Sequence, residues 1–165
     1  MDAESLRKEI LDILSTDARR TPADISAMLK HPEKEIKKII GQMEKNGTIL
    51  AYKTVINRDK MDSGSTYCII EVKCSPQRGV GFDAIAKRIY KYPEVNSLYL
   101  MSGGHDLLLI IEGKTMKDIA YFVAEKLATM EHVKSTSTHF LLKRYKEDGF
   151  ILENEEKTSR LAVSP

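Results

Sequence analysis

Apolar positions change rhythm partway along the chain. Leu6, Ile10, Ile13 and Leu14 recur at helical spacing, the stripe of an amphipathic helix. Asp17, Ala18, Arg19 and Arg20 interrupt it. A second helix is expected next. Thr21 caps it, Pro22 suits its first turn, and Asp24 completes a Thr-x-x-Asp box. Its apolar residues are Ile25, Met28 and Leu29. A third helix is predicted from about Pro32, where Glu33 and Glu35 suit the positive end of the dipole. Ile36, Ile39, Ile40 and Met43 form its core stripe, and Asn46-Gly47 stops it. Residues 49–56 then read as strand-like, with Lys53-Thr54 as the turn of a small hairpin.

From residue 66 the period is two. Thr66, Cys68, Ile70, Val72 and Cys74 share one strand face, and residues 75–79 form a loop. Phe82, Ile85, Ala86 and Ile89 mark a helix that ends at Tyr92-Pro93. Strands are expected at 95–101 and 106–112, joined by Ser102-Gly103-Gly104-His105. A helix over 116–128 carries Met116, Ile119, Ala120, Val123 and Leu127, and a last strand covers 132–143. The order β-α-β-β-α-β is that of a ferredoxin-like unit. The fold class is therefore α+β, three helices with a hairpin followed by a ferredoxin-like sheet. The expected division is 1–57, a linker at 58–64, a second domain at 65–145 and an extension at 146–165. In the extension, 147–149 reads as a turn, 150–152 and 160–163 as short strands, and 154–159 as solvated chain.

The sheet carries apolar residues on both alternations. Ile69 and all of Leu107, Leu108, Leu109, Ile110 and Ile111 are apolar. A strand buried on both faces has this pattern. A ferredoxin-like sheet has helices on one face only, so a second copy of the chain is the expected cover for the other.

Composition narrows the class. The chain has 165 residues and a net charge of +2, from 26 basic and 24 acidic side chains. A polycationic nucleic-acid binder is excluded, so contacts with nucleic acid would have to come from local geometry. A hydrophobic fraction of 42% argues for packed domains over disorder. No apolar run reaches the roughly 18–20 residues of a membrane span, and the acidic start lacks a signal-peptide core. A cytoplasmic protein without membrane contact is expected. Cys68 and Cys74 lie six apart on one strand, too far for a disulfide, and read as buried thiols.

Three constellations could carry chemistry. On the third helix, Lys34, Lys38, Gly41 and Lys45 lie opposite the apolar stripe, with Lys37 on the flank. Lysines neutralise phosphates and a glycine admits close backbone approach. The helix follows a shorter one after a turn at Lys30-His31, the layout of a helix-turn-helix with the hairpin as wing. Arg19 and Arg20 are candidate phosphate contacts. The competing reading is a solvated helix face.

The second constellation is the turn at Met101, Ser102, Gly103, Gly104, His105 and Asp106. Its N–H groups and carboxylate could hold an amino-acid zwitterion. Alternatively it is a plain hairpin turn whose Asp satisfies local N–H groups. The third is the hydroxyl run Ser135, Thr136, Ser137 and Thr138, either a polar pocket wall or ordinary strand residues. His31, His105, His132 and His139 make no ligand pattern with the cysteines, and no phosphate loop or nucleophile elbow occurs. No metal, no cofactor and no enzymatic activity are expected.

These features resemble the Lrp/AsnC family, the leucine-responsive and feast/famine regulators. The resemblance rests on Ile13-Leu14, Asp17-Ala18-Arg19, Ile25-Ser26, Leu29, Glu44, Gly47, Ile49 and Tyr52. It continues through Pro93-Glu94-Val95, Gly103-x-x-Asp106 and Val133-x-x-Thr136-x-Thr138. It implies a winged helix-turn-helix at the N-terminus and a ferredoxin-like effector domain after it. The expected function is a DNA-binding transcription regulator responding to an amino acid or related metabolite. Double-stranded operator DNA and further copies of the chain, as dimers, tetramers or octamers, are the implied partners. The family places the effector near the Gly-x-x-Asp turn, with Ser135, Thr136 and Thr138 as neighbouring contacts here. Three positions depart from the family pattern. Glu35 and Ile39 stand where a hydroxyl residue and an arginine are common, and His105 replaces an aromatic. Histidine titrates near neutral pH, so ligand selectivity is expected to differ. The alternative is a ferredoxin-like small-molecule-binding protein that does not bind DNA.

Overall fold

Capping chemistry and apolar spacing set the first helices. The computed structural model describes residues 2–61, 64–76 and 81–152. The chain divides into two units, Met1–Ile56 and Asn57–Pro165.

The first unit holds α1 (Ala3–Thr16), α2 (Pro22–Leu29) and α3 (Glu33–Lys45). The Thr21 hydroxyl accepts the Asp24 N–H at 3.2 Å, and the Asp24 carboxylate accepts the Thr21 N–H at 2.8 Å. This reciprocal box starts α2 at Pro22. Lys30 adopts the left-handed conformation at φ 55°, ending α2 and turning the chain into α3. Gly47, at φ +76°, closes α3 in the same way. Leu6, Ile10, Leu14, Ile25, Ile36, Ile39, Ile40 and Met43 are buried together. Ile13 and Leu29 pack at the margin, and Met28 is exposed. The expected α2 stripe therefore shrinks to Ile25, because a helix of 8 residues buries little more than one turn.

The hairpin predicted over 49–56 does not form within this chain; among the described residues that segment holds no strand. Lys53 and Thr54 lack the positive φ values that a tight hairpin turn needs, and arms this short are marginal alone. Ile49 instead folds back on α3, donating its N–H to the Met43 carbonyl, while Leu50 is 90% exposed. The Tyr52 hydroxyl donates to Glu44 at 2.8 Å.

In the second unit, β1 (Thr66–Cys74), β2 (Val95–Leu100), β3 (Leu107–Gly113) and β4 (Val133–Phe140) form an antiparallel sheet of order β2-β3-β1-β4. α4 (Asp83–Ile89) and α5 (Met116–Tyr121) are the intervening helices. The core joins Cys68, Ile70, Val72 and Cys74 of β1 to Leu107, Leu109 and Ile111 of β3, with Ile85, Ile89, Ile119 and Phe122. Burial pushes the Cys68 thiol up to about 11. At Gly113 an added Cβ would lie 2.8 Å from Cγ1 of buried Ile119, so only glycine lets α5 sit this close.

α5 continues as a wider π turn over Phe122–Leu127, with the Ala128 N–H reaching back to Val123. That widening breaks the 3.6-residue phase. Met116 and Ala120, expected in the core, are both exposed, while buried Phe122 takes a core position the pattern had not marked. A short hairpin follows, β5 (Lys146–Glu147) and β6 (Phe150–Ile151), turning at Asp148-Gly149. The strand expected at 160–163 and the solvated stretch at 154–159 lie outside the described residues, as does most of the loop after Pro76. Among the described residues no helix is long and apolar enough to cross a membrane.

The sheet face without helices carries Ile69, Glu71 and Lys73 of β1. Their neighbours are Leu108 and Ile110 of β3, Tyr99 of β2, and Ser135, Ser137 and His139 of β4. Leu108 and Ile110 are half-buried on this face, as is Ile69.

Candidate functional site

Two sites are built, one in each unit. In the first, burying Ile36, Ile39, Ile40 and Met43 turns the opposite side of α3 to solvent. Lys34, Lys38 and Lys45 are exposed there and pair with no carboxylate among the described residues. Gly41 lies between them, and a methyl group added to it would meet nothing within 4 Å. Lys37 differs, since its ammonium meets Glu33 at 2.6 Å. Glu35 sits 3.8 Å from His31. Arg19 and Arg20 both face Asp17, at 3.4 and 3.2 Å. The Arg19 N–H, with the two guanidinium groups, holds the Asp17 carboxyl below its ordinary value. One anion thus offsets part of that basic pair. Ile39 is buried, so no base contact comes from the position where relatives commonly carry arginine.

In the second unit the turn from Met101 to Asp106 joins β2 to β3. The Met101 N–H donates to the Asp106 carbonyl at 2.8 Å, and Gly103 takes φ +130°. Ser102, Gly103 and Gly104 are exposed. The Asp106 carboxylate, however, is already engaged. It accepts the Cys74 N–H at 2.8 Å and lies 3.5 Å from the Lys73 ammonium. Both contacts, the N–H foremost, hold its carboxyl below the ordinary value. Asp106 therefore ties the turn to the end of β1, as the plain-turn reading requires.

The hydroxyl run does not form one wall. Antiparallel pairing sets Ser135 opposite Lys73 and Ser137 opposite Glu71, on the helix-free face. Thr136 and Thr138 sit opposite Val72 and Ile70, on the core side. Strand alternation separates residues that adjacency in sequence had grouped.

Two residues absent from the sequence-based candidates do reach the turn. Glu71 Oε2 lies 3.3 Å from His105 Nδ1 and 3.3 Å from His139 Nε2. Glu71 and His105 line a recess of about 90 Å³ with Met101, Ser102, Gly104 and Leu108. The parity of β1 put Glu71 on the helix-free face, but only the pairing of β1 with β4 brings His139 to it.

A helix-turn-helix unit with a basic second helix, joined to a ferredoxin-like unit with a recessed turn, defines a DNA-binding regulator with a ligand-binding domain. Comparison with known proteins agrees. Residues 67–151 match the Lrp/AsnC ligand binding domain. The HTH-type transcriptional regulator YugG of Bacillus subtilis is 46% identical over 159 residues, 95% of each chain. The HTH-type transcriptional regulator LrpA of Pyrococcus abyssi is 29% identical, over 84% of this chain and 96% of its own. The chain belongs to the Lrp/AsnC family of transcription regulators. Its fold is shared with AsnC of E. coli, at a TM-score of 0.68 and 16% identity over 93% of this chain and 99% of the other. It is shared equally with the transcriptional regulator NMB0573 of Neisseria meningitidis, solved as an L-Met complex. That match has a TM-score of 0.68 and 23% identity, over 89% of this chain and 93% of the other.

Proposed function

We infer that this regulator holds operator phosphates with the lysine face of α3 and senses an amino acid at the Met101–Asp106 turn. The observation that carries the reading is the α3 face itself. Lys34, Lys38 and Lys45 present positive charge around an open Gly41, on the second helix of a helix-turn-helix. Lys37, Arg19 and Arg20 add positive charge that Glu33 and Asp17 partly offset. The helix-free sheet face is the surface that a second copy covers, giving two α3 helices for two half-sites about one turn apart. Tetramers or octamers would be built from such dimers.

The amino-acid part of the reading is supported by the ligand-binding-domain match and by the Neisseria relative's L-Met complex. Effector contacts are assigned to Ser102, Gly103, Gly104 and His105, with Met101 and Ser135 flanking them. Asp106 holds the turn in shape. Effector binding and DNA binding are then linked through assembly or through the spacing of the two α3 helices.

Selection of genomic fragments at about 150 mM salt, with and without the protein amino acids, tests both halves. That salt screens charge beyond about 8 Å and suppresses non-specific retention. A few fragments sharing a pseudo-palindrome, recovered differently with amino acids present, are expected. No preferred fragment in either condition would return the chain to the alternative of a ligand-binding protein that leaves DNA alone.

A further inference from the structure

The two flanks of the exposed α3 face carry different chemistry. At about 100° per residue, Lys34, Lys38 and Lys45 lie within about 30° of the direction opposite the buried stripe. Lys37 and Glu44 lie about 70° and 90° to one side of that direction, and Gln42 and Glu35 about as far to the other. On the first side the charges are matched within the helical unit. Lys37 meets Glu33 at 2.6 Å, and Glu44 accepts the Tyr52 hydroxyl at 2.8 Å.

Glu35 has no such match. Its side chain is 52% exposed, and among the described residues no lysine or arginine pairs with it. The His31 ring, at 3.8 Å, lies beyond hydrogen-bond reach. Gln42, on the same side, is exposed and uncharged. An open carboxylate is repelled by phosphates, and salt at about 150 mM screens that repulsion only beyond about 8 Å. On a DNA-facing helix such a group is favourable only where it meets base edges instead of backbone.

The major groove offers it one good partner. Cytosine presents a lone donor there, the N4 amino group, which glutamate accepts. Adenine also presents an amino group, but beside the N7 acceptor that repels a carboxylate, and guanine and thymine present acceptors. Position agrees with this chemistry. The first residues of the second helix of a helix-turn-helix reach base edges, and Glu35 is the third residue of α3. From Glu35 to Gln42 the helix rises about 10.5 Å, about three base-pair steps of about 3.4 Å.

We propose that Glu35 reads a cytosine in each operator half-site, its carboxylate accepting the N4 amino group in the major groove. Like the lysine contacts, this role rests on α3 being the DNA-facing helix. Lysines on phosphates carry no sequence information directly, so they raise affinity for all DNA alike. Glu35 lowers affinity for every sequence that lacks the cytosine, and that difference is the preference. Exchange of its carboxylate for an amide changes the base that is read, because an amide pairs with adenine N6 and N7.

The full chain and its Glu35→Gln and Glu35→Ala variants each select from a random double-stranded DNA library at about 150 mM salt. Titration then measures affinity for the selected operator and for its single-base-pair variants. Wild type is expected to enrich a pseudo-palindrome with C·G fixed at one position of each half-site. Changing that pair in both half-sites should weaken wild-type binding at least about tenfold. Glu35→Ala should accept all four base pairs there within about threefold and keep its preferences elsewhere, and Glu35→Gln should move the preference to adenine. Thermal midpoints identify folded variants. Should Glu35→Ala destabilise the helical unit, Glu35→Gln carries the test through its change of base. A cytosine preference retained by both variants overturns the role of Glu35, including when both simply bind all DNA more tightly. A wild-type operator with no fixed cytosine overturns it as well. Either result leaves the lysine face of α3 in place. No sequence enriched by wild type removes the DNA-facing reading of α3 and this inference with it.

Discussion

The lysine face of α3 and the recess beside the β2–β3 turn are assembled in opposite ways. Lys34, Lys38, Gly41 and Lys45 come from 13 residues of one helix, so helical periodicity alone brings them together. Glu71, His105 and His139 come from β1, a turn and β4, with the first and the last 68 positions apart in sequence. The first site exists once one helix forms and buries its apolar stripe. The second exists only after the whole sheet has found its register. A site of the first kind tolerates change elsewhere in its unit, whereas a site of the second kind is exposed to any change that shifts the strands.

Two glycines put that contrast to the test with the largest expected effect. Gly113→Ala drives a methyl to 2.8 Å from Ile119, a buried side chain with no room to retreat. It should destabilise the sheet unit by about 2–3 kcal/mol and lower its thermal midpoint, with effector binding weakened as the sheet loosens. Gly41→Ala meets open space in a helix interior. It should stabilise the helical unit by up to about 1 kcal/mol. If the α3 backbone approaches DNA, the same variant binds an operator more weakly despite being more stable. Equal or lower stability for Gly41→Ala than for Gly113→Ala would contradict the packing described for both units.

The lysines come next. Each lysine withdrawn from a phosphate reduces the salt slope by about 0.9, which at about 0.15 M salt corresponds to about fivefold in affinity. Because a dimer carries each change twice, Lys34→Ala/Lys38→Ala should lower the slope by about 3.6 and weaken operator binding by roughly a thousandfold. Lys37→Ala should cost less than either single change, because Glu33 already offsets that charge at 2.6 Å. Titrations across a salt series separate these outcomes. An unchanged slope in the double variant would remove α3 from the phosphate interface.

The same difference in assembly decides what was legible in the sequence. The α2 capping box, the stripe of α3 and the stop at Gly47 all depend on residues close together in the chain, and all formed as read. The alternation of β1 correctly buried Cys68, Ile70, Val72 and Cys74, because parity is local too. Contacts set by register were invisible. Nothing in the run from Ser135 to Thr138 says which hydroxyl will face Glu71 until β4 pairs with β1. Residues 49–56 show the limit of local pattern from the other side. Their composition is strand-like, but a strand needs a partner, and Leu50, 90% exposed, pairs with no strand among the described residues. Along α5 the stripe was drawn at 3.6 residues per turn, and the π turn at Phe122–Leu127 moved it off that period.

The smallest expected effect concerns Asp106, and it separates holding the turn from binding the ligand. The Cys74 N–H and the Lys73 ammonium favour the charged carboxylate and place its pKa below the ordinary 3.8. A depressed folded value means that the folded state binds its proton less readily than the unfolded chain. The resulting stabilisation is present above about pH 4 and is lost as pH falls through the folded value. Asp106→Asn keeps an acceptor for the Cys74 N–H but lacks the charge that Lys73 meets. The variant should be slightly less stable than wild type at neutral pH. That gap should begin to close below about pH 4 and vanish as the pH falls through the lowered folded value, where the wild-type carboxylate becomes protonated as well. Denaturant midpoints collected from about pH 7 to 3 measure it. If Asp106 only holds the turn, amino-acid affinity at neutral pH falls no more than the loosened turn accounts for. Loss of amino-acid binding by a folded Asp106→Asn variant would mean that this carboxylate faces the ligand, and its contacts with the Cys74 N–H and Lys73 would then be broken on binding.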